Sequence, residues 1–192
     1  MAGSKNTETV FSEFEAREMN FIFGADDYYN VKCVGKVEEE ATVQVITKRC
    51  RGRVAKKRTR GTGEGTLKLT GHIPYELYTR LLDMDREDLK DGIRAYGQNS
   101  LHPEVGVTAH IYDEDDNEKL VAWPRCTIST GTNRTIENGG DTVEEVEIEV
   151  GYMPDDHNEG SYEALMADIK DEDVKTKWMT GFTPELVYNP QA

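Results

Sequence analysis

Alternation of apolar and polar residues is the dominant pattern along this chain, and it predicts β-strands. Strict alternation over four to eight residues places successive side chains on opposite faces of a strand. Seven or eight such strands, without regularly interspersed helices, predict a mainly β fold: an antiparallel sandwich or barrel. The runs cover residues 19–23, 29–33, 41–47, 66–70, 105–111, 120–128 and 146–152.

Two short stretches show helical spacing instead, and each predicts a packing helix against the sheet. Proline is favoured at the first position of a helix, so Pro74 marks the start of the first one. The apolar stripes are Tyr75, Tyr78, Leu81 and Leu82 in the first helix, and Tyr162, Leu165, Met166 and Ile169 in the second.

The chain reads as a single domain, residues 1–192, with two terminal arms. Residues 1–14 are mostly polar and form the N-terminal arm. Residues 173–192 form a C-terminal arm whose apolar residues lack a clear period, so it lies either on its own body or on a neighbour. Pro124 cannot donate to a ladder, so the strand that contains it is expected at a sheet edge.

Composition excludes some protein classes. No apolar run approaches the roughly 18 residues that a bilayer-spanning helix needs, and the first ten residues lack a signal peptide's apolar stretch. We therefore expect neither membrane integration nor Sec-type secretion. The three cysteines form no CxxC pair, which fits reduced thiols better than a disulfide framework.

The charge is distributed unevenly. The chain has a net charge of -14, yet residues 48–60 carry eight basic residues and no acid, leaving 15 basic and 37 acidic residues elsewhere. This segment and the glycine-rich GTGEGT that follows indicate a long extended basic loop at 48–65. The segment could bind nucleic acid through phosphates, dock on an acidic surface of another copy, or simply be solvated.

The strongest β pattern lies near the C-terminal end of the chain. Val146, Ile148 and Val150 alternate with carboxylates, so one face of this strand is apolar and the other acidic. The acidic face is a candidate for a wall that repels phosphate, and a solvated outer face is an equal alternative. Its carboxylates are Glu145, Glu147 and Glu149.

The sequence indicates no catalytic or metal chemistry. The four histidines are scattered, and no P-loop or nucleophile-elbow motif occurs. Residues 113–117 begin like a calcium loop, but Glu118 stands where that loop needs glycine, so a hairpin turn is the better interpretation. We expect no enzyme activity, no cofactor and no metal site.

Four stretches of the chain together resemble the major tail protein, or tail tube protein, of long-tailed bacteriophages and prophages of Gram-positive bacteria. The resemblance covers most of the chain and depends on the order of these stretches, since none is a catalytic signature. They are VFSEFEAREMNF, VITKRCRG with GTGEGTLKLTGHIPYELY, IRAYGQNSLHPEVGVTAHIYDEDDN and KWMTGFTPELV.

The resemblance implies a β-sandwich with a flanking helix, a long protruding hairpin loop and terminal arms. It further implies a virion protein that assembles in the host bacterial cytoplasm into stacked, hexameric rings. The resulting tube contacts tape-measure, terminator and baseplate proteins, and conducts DNA into the host without binding it specifically. No membrane contact is implied.

In such a tube the basic loop is expected to reach the neighbouring ring and meet acidic clusters such as residues 113–116 or 38–40. Glu145, Glu147 and Glu149 would face the lumen. Alternatives remain: a β-sandwich that binds nucleic acid through residues 48–60, or an extracellular adhesion or carbohydrate-binding sandwich. The residues expected between rings are Lys48, Arg49, Arg51, Arg53, Val54, Lys56, Lys57, Arg58 and Arg60.

Overall fold

The computed structural model describes residues 10–136, 138–139 and 142–189. These residues form eight β-strands and two α-helices, which confirms a mainly β fold with few helices. The first strands are β1 (Glu15–Gly24), β2 (Asp27–Val31), β3 (Val34–Cys50) and β4 (Arg53–Gly71), followed by α1 (Tyr75–Leu81). The remaining elements are β5 (Val105–Tyr112), β6 (Glu118–Ile128), β7 (Val146–Tyr152), β8 (Tyr162–Leu165) and α2 (Glu172–Gly181).

All strand pairs are antiparallel and belong to one sheet, in the order β2-β1-β5-β6-β7-β4-β3, with β8 paired to β6. The sheet curls so that its two halves share one apolar core. Burying that core is the main favourable contribution to folding. Its members include Met19, Phe21, Val107 and Trp123 from one half, and Leu67, Leu69, Ile148 and Val150 from the other.

Pro124 does not mark an edge strand, so that prediction is wrong. Strand β6 runs through Pro124 and changes partners there: Lys119–Ala122 pair with β8, whereas Cys126–Ile128 pair with β7. The pairing of β5 with β6 shifts register at the same point, between Val105 and Val107. An irregular ladder position tolerates a residue without an N–H donor, which explains a proline inside the sheet.

One of the two predicted helices is present in the structure and the other is not. Helix α1 forms directly after Pro74, as predicted, although it buries Leu77 and leaves Tyr75 66% exposed. The helix predicted over residues 162–169 is wrong, because Tyr162–Leu165 form strand β8 and Met166–Asp168 a short 3-10 turn. The unpaired side of β6 supplies hydrogen-bond partners for an added strand, whereas a helix of only eight residues is marginal on its own.

The second α-helix lies instead in the predicted C-terminal arm. The Asp171 side chain accepts a hydrogen bond from the Asp173 N–H and thereby caps the first turn of α2. Trp178 is only 2% exposed, and it packs with Phe182 against Leu120 of β6. The described part of this arm therefore lies on its own body.

Polar groups also hold α2 in place. The backbone carbonyl of Met179, near the end of the helix, accepts hydrogen bonds from two sheet side chains. Asn20 Nδ2 lies 2.8 Å from this oxygen and Thr108 Oγ1 lies 2.9 Å from it. Asn20 and Thr108 are each 1% exposed, so this contact explains two polar residues in an otherwise apolar environment.

Candidate assembly surfaces

The basic segment forms the outer part of a long β-hairpin, whose pairing shifts register once near the tip, between Lys48 and Arg49. Arg51 and Gly52 form its two-residue turn, with φ values of 50° and 77°. Two positive φ values define a type I′ turn, whose twist matches that of the flanking strands. Pairing continues from Cys50 opposite Arg53 back to Val43 opposite Gly61.

This hairpin arm, defined as residues 42–64, protrudes from the body. Strand β7 pairs with β4 only from Gly65 onward, so no third strand extends along the arm. Every residue from 41 to 61 is exposed. Three valines and an isoleucine share this exposure: Val43 (55%), Val45 (48%), Ile46 (50%) and Val54 (55%). Exposed apolar side chains on two unpaired strand edges make the arm a candidate interaction surface.

The two faces of the hairpin arm differ in chemistry. On one face Lys48 pairs with Lys56, Ile46 with Arg58, and Gln44 with Arg60, so like charges lie side by side. Like charges at this spacing repel one another. The opposite face is nearly neutral and comprises Val43, Val45, Thr47, Lys57, Thr59 and Gly61.

The cations of the hairpin arm lack acidic partners among the described residues. Arg60 Nε donates to Gln44 Oε1 at 2.9 Å, and that is a neutral acceptor. None of the ion pairs found in the described parts of the chain includes a basic residue of the 48–60 segment. The eight basic residues of the arm therefore have no ion-pair partner among the described residues, which suits binding to a negatively charged surface.

The predicted carboxylate face exists on the half of the sheet that carries the hairpin. Ile148 and Val150 point into the core, while Glu145 and Glu147 are exposed and Glu149 is half-buried. Glu149 lies 3.9 Å from the ammonium of Lys68 on β4. The face is thus polar and solvated, as alternation requires.

Strand β3 adds to this face, but not through all three of its consecutive glutamates. Glu38 and Glu40 flank Lys68 and Thr66 on the solvent side, next to Glu149. A cleft of about 530 Å³ on this side is lined by Glu38, Glu39, Glu40, Thr66, Lys68 and Glu149. The two acidic sites named from the sequence, on β3 and on β7, therefore belong to one surface.

Glu39 is turned the other way and has a structural role that the sequence analysis missed. Its Oε1 accepts hydrogen bonds from Trp123 Nε1 at 3.1 Å and from the Tyr152 hydroxyl at 2.9 Å. Burial, together with the nearby carboxylate, raises the pKa of Tyr152 above its usual value. The signal was present in the sequence, because alternation puts Glu39 on the same side of β3 as Val37.

The third acidic cluster, residues 113–116, forms the turn between β5 and β6, which confirms a hairpin turn. Asp113 is 3% exposed, and its carboxylate accepts from the backbone N–H groups of Asp115 and Asn117 and from the Asn117 amide. Burial alone would raise the pKa of Asp113, but these donors outweigh it and lower the pKa. Asp116 forms an ion pair with Arg17. Within this turn, Glu114 and Asp115 are exposed and form no ion pair with the described residues.

No cluster of three or more His, Cys, Asp or Glu side chains in residues 10–136, 138–139 and 142–189 could hold a metal ion. In the same residues, no helix has both the length and the apolar character needed to cross a membrane.

The fold of this chain is similar to that of a solved structure, whereas no family model or curated protein matches. Among solved structures, the chain is similar to the anti-feeding prophage cap, the AFP tube terminating cap, determined by cryo-EM. The TM-score is 0.50 and the sequence identity 9%, over 86% of this chain and 99% of that chain. At this identity the similarity shows a shared fold and nothing more.

Proposed function

We propose that this protein is a structural component of a bacteriophage or prophage tail, assembling with copies of itself into a tail tube. The observation that carries this proposal is a protruding hairpin, with one strongly cationic face, on a body with a carboxylate-rich sheet face. The shared fold with a tube terminating cap supports it. The role is structural and needs no catalytic site.

A ring of six copies would give a bore of suitable size. The carboxylate-rich half of the sheet contains four strands: the end of β6, then β7, β4 and β3. Six copies would contribute 24 strands, and a barrel of that number has a backbone diameter of roughly 48 Å at usual strand spacing and tilt. Side chains would narrow the bore to roughly 30–35 Å, enough for a DNA duplex to pass.

The carboxylate face is the proposed lining of that bore. Glu145, Glu147 and Glu149 would repel phosphates, so DNA would slide without releasing counterions to the wall. Glu38 and Glu40 lie on the same face. They would line the bore as well, so they cannot also receive the hairpin arm of a neighbouring ring.

The hairpin arm is then proposed to dock on the exposed turn between β5 and β6 in the next ring. Glu114 and Asp115 are the carboxylates that this turn leaves accessible. Each exposed ion pair contributes under about 1 kcal/mol, so the stacking register would depend on six arms acting together. Burial of Val54 and its apolar neighbours would add to it.

Charge reversal in the arm tests the proposal. Concentrated wild-type protein should form tubes in negative-stain electron microscopy, whereas Arg51→Glu with Arg53→Glu should give a folded protein without tubes. The matched control is Lys90→Glu with Lys170→Glu, which changes the net charge equally at exposed positions of the body. Normal tubes from the arm variant would refute the docking role.

A tube terminator is the second candidate, favoured because the structural neighbour is a tube terminating cap. A terminator would close as single rings and bind the end of a tube without stacking further. The same micrographs separate the two roles, because isolated rings at every concentration would favour the terminator. Either role places the protein in the virion tail, assembled in the host cytoplasm beside tape-measure and baseplate proteins.

Binding of DNA by the hairpin arm is a competing outcome. Such binding would weaken steeply with salt, because each neutralised phosphate releases a counterion. A gel shift at low and at moderate salt with wild-type protein and the Arg51→Glu, Arg53→Glu variant measures it directly. A salt-dependent shift that the variant abolishes, without tube formation, would replace the tail proposal with a nucleic-acid-binding one.

A further inference from the structure

The hairpin arm joins the body at a bulge that differs from a simple continuation of the two strands. Between the pairs Ala41–Gly65 and Val43–Gly61, β3 has one residue, Thr42, whereas β4 has three. The Thr62 hydroxyl donates to the Thr42 carbonyl at 3.0 Å and accepts from the Glu64 N–H at 3.3 Å. Extra residues on one strand bend it and increase its twist, so the bulge sets the direction of the arm.

The middle residue of the bulge touches the body through its backbone. Gly63 has a φ of 78°, a conformation that favours glycine. A Cβ added to it would lie 2.8 Å from Pro154 Cγ and 3.3 Å from the Asn158 carbonyl oxygen. A Cβ added to Gly160 would lie only 2.0 Å from the Gly63 carbonyl oxygen. Both glycines are needed for this close approach of two backbones.

The loop that meets Gly63 is itself held rigidly. The Asp155 carboxylate accepts from the backbone N–H groups of His157 and Glu159, at 2.8 and 3.1 Å. It also accepts from the hydroxyl of Tyr162, on β8, at 2.5 Å. Asp155 is 6% exposed, so these bonds form away from bulk water and fix the loop to the sheet.

We propose that Gly63 and Gly160 form a rigid elbow that fixes the angle between the hairpin arm and the body. The direction of the arm is thus already fixed in the isolated subunit, so the arm loses little conformational entropy when a partner binds. Gly63 and Gly160 act as positioning residues, because their role is to set the direction of the arm through the close approach of their backbones. The benefit for stacking rests on the tail-tube proposal, whereas the elbow itself does not.

A methyl group at position 160 should change the direction in which the arm leaves the body. Real Cβ atoms do not approach other atoms below 3.0 Å, so the Gly63 backbone must move by about 1 Å in Gly160→Ala. If the arm rotates about a pivot one inter-strand spacing away, about 4.8 Å, this displacement corresponds to a rotation of the arm by about 12°. The distal eight residues of each strand extend about 26 Å, so the tip should shift by about 5 Å.

Distances between two spin labels measure this shift in the monomer. Cys50 at the tip is exposed and takes one label, whereas Cys126 is buried. Cys33→Ser removes the other exposed thiol, and Lys177→Cys places the second label at an exposed position of α2. Electron double resonance on dilute, fully folded protein should give one narrow distance distribution.

Gly160→Ala should displace the centre of that distribution by several ångströms or broaden it, and Pro154→Ala should broaden it. Gly61→Ala is the matched control, because a Cβ there meets no atom within 4 Å and the φ is not positive. If Gly160→Ala does not fold, Pro154→Ala carries the test. A broad wild-type distribution, or one that none of the variants alters, would overturn the elbow. Because no assembly is involved, that result would leave the tail-tube proposal standing, and absent tubes would leave the elbow standing.

Discussion

Replacing Glu39 by alanine tests the strand register from which both assembly surfaces follow. The carboxylate accepts hydrogen bonds from Trp123 and Tyr152, which are 1% and 5% exposed, so the variant leaves two buried donors without this acceptor. A hydrogen bond to a charged group contributes about 1.5–3 kcal/mol. Glu39 itself is accessible to water, which recovers part of that loss. We therefore expect the free energy of unfolding to fall by about 2 kcal/mol, which corresponds to a decrease of about 4–8 °C in melting temperature.

Urea unfolding followed by circular dichroism measures this difference, with Glu38→Ala as the matched control. Glu38 lies one position away on the opposite face of β3, and its exposed side chain forms an ion pair with Lys36 at 2.9 Å. Its removal should cost well under about 1 kcal/mol. Glu39→Gln, which keeps an acceptor oxygen, should fall between the two. Equal losses for Glu38→Ala and Glu39→Ala would refute the register, because a slip of one residue exchanges the two faces.

Two further predictions concern the turns and the C-terminal helix. The pKa of Asp113 and of Asp155 is lowered in the folded protein because hydrogen bonds outweigh burial, so both carboxylates stabilise the fold above their unfolded pKa, about 4. That stability is lost as the pH falls through the folded pKa. Asp113→Asn or Asp155→Asn should therefore reduce the decline of the unfolding free energy at acid pH, whereas the control Asp115→Asn, at an exposed position, should not. Identical slopes of unfolding free energy against pH in all three variants would contradict this. Trp178→Ala should destabilise the fold by about 3 kcal/mol and expose α2 to limited proteolysis. Lys177→Ala, at the exposed neighbouring position, is the control. Equal cleavage of the two variants would show that α2 is not anchored through Trp178.

Helix α2 shows why one element was not predicted from the sequence. It buries a single apolar residue, Trp178, among charged and polar neighbours, so its periodicity is too weak to recognise. Its position depends on Asn20 and Thr108, which reach its last turn from strands far away in the chain. Residues 162–165 show the converse case, since a spacing compatible with a helix was overridden by pairing with β6.

The candidate surfaces divide in the same way. The cationic character of residues 48–60 and the carboxylates at 145, 147 and 149 were evident from composition and alternation alone. The sequence did not predict that Glu38 and Glu40 lie on the same face as Glu147, because this requires β3, β4 and β7 to lie side by side. The close approach of Gly63 to Gly160 was equally hidden, since 97 positions separate the two residues.

The amino-acid sequence by itself determined the local features: strand-forming alternation, the glycine-containing turn at the hairpin tip and the segregation of positive from negative charge. These depend on neighbours within a few positions, where side-chain period and backbone preference act directly. Tertiary structure alone decided which strands adjoin, which glutamate turns inward and how the hairpin arm leaves the body. Those outcomes arise from contacts between residues distant in the chain, and burial of the shared core selects among them all at once.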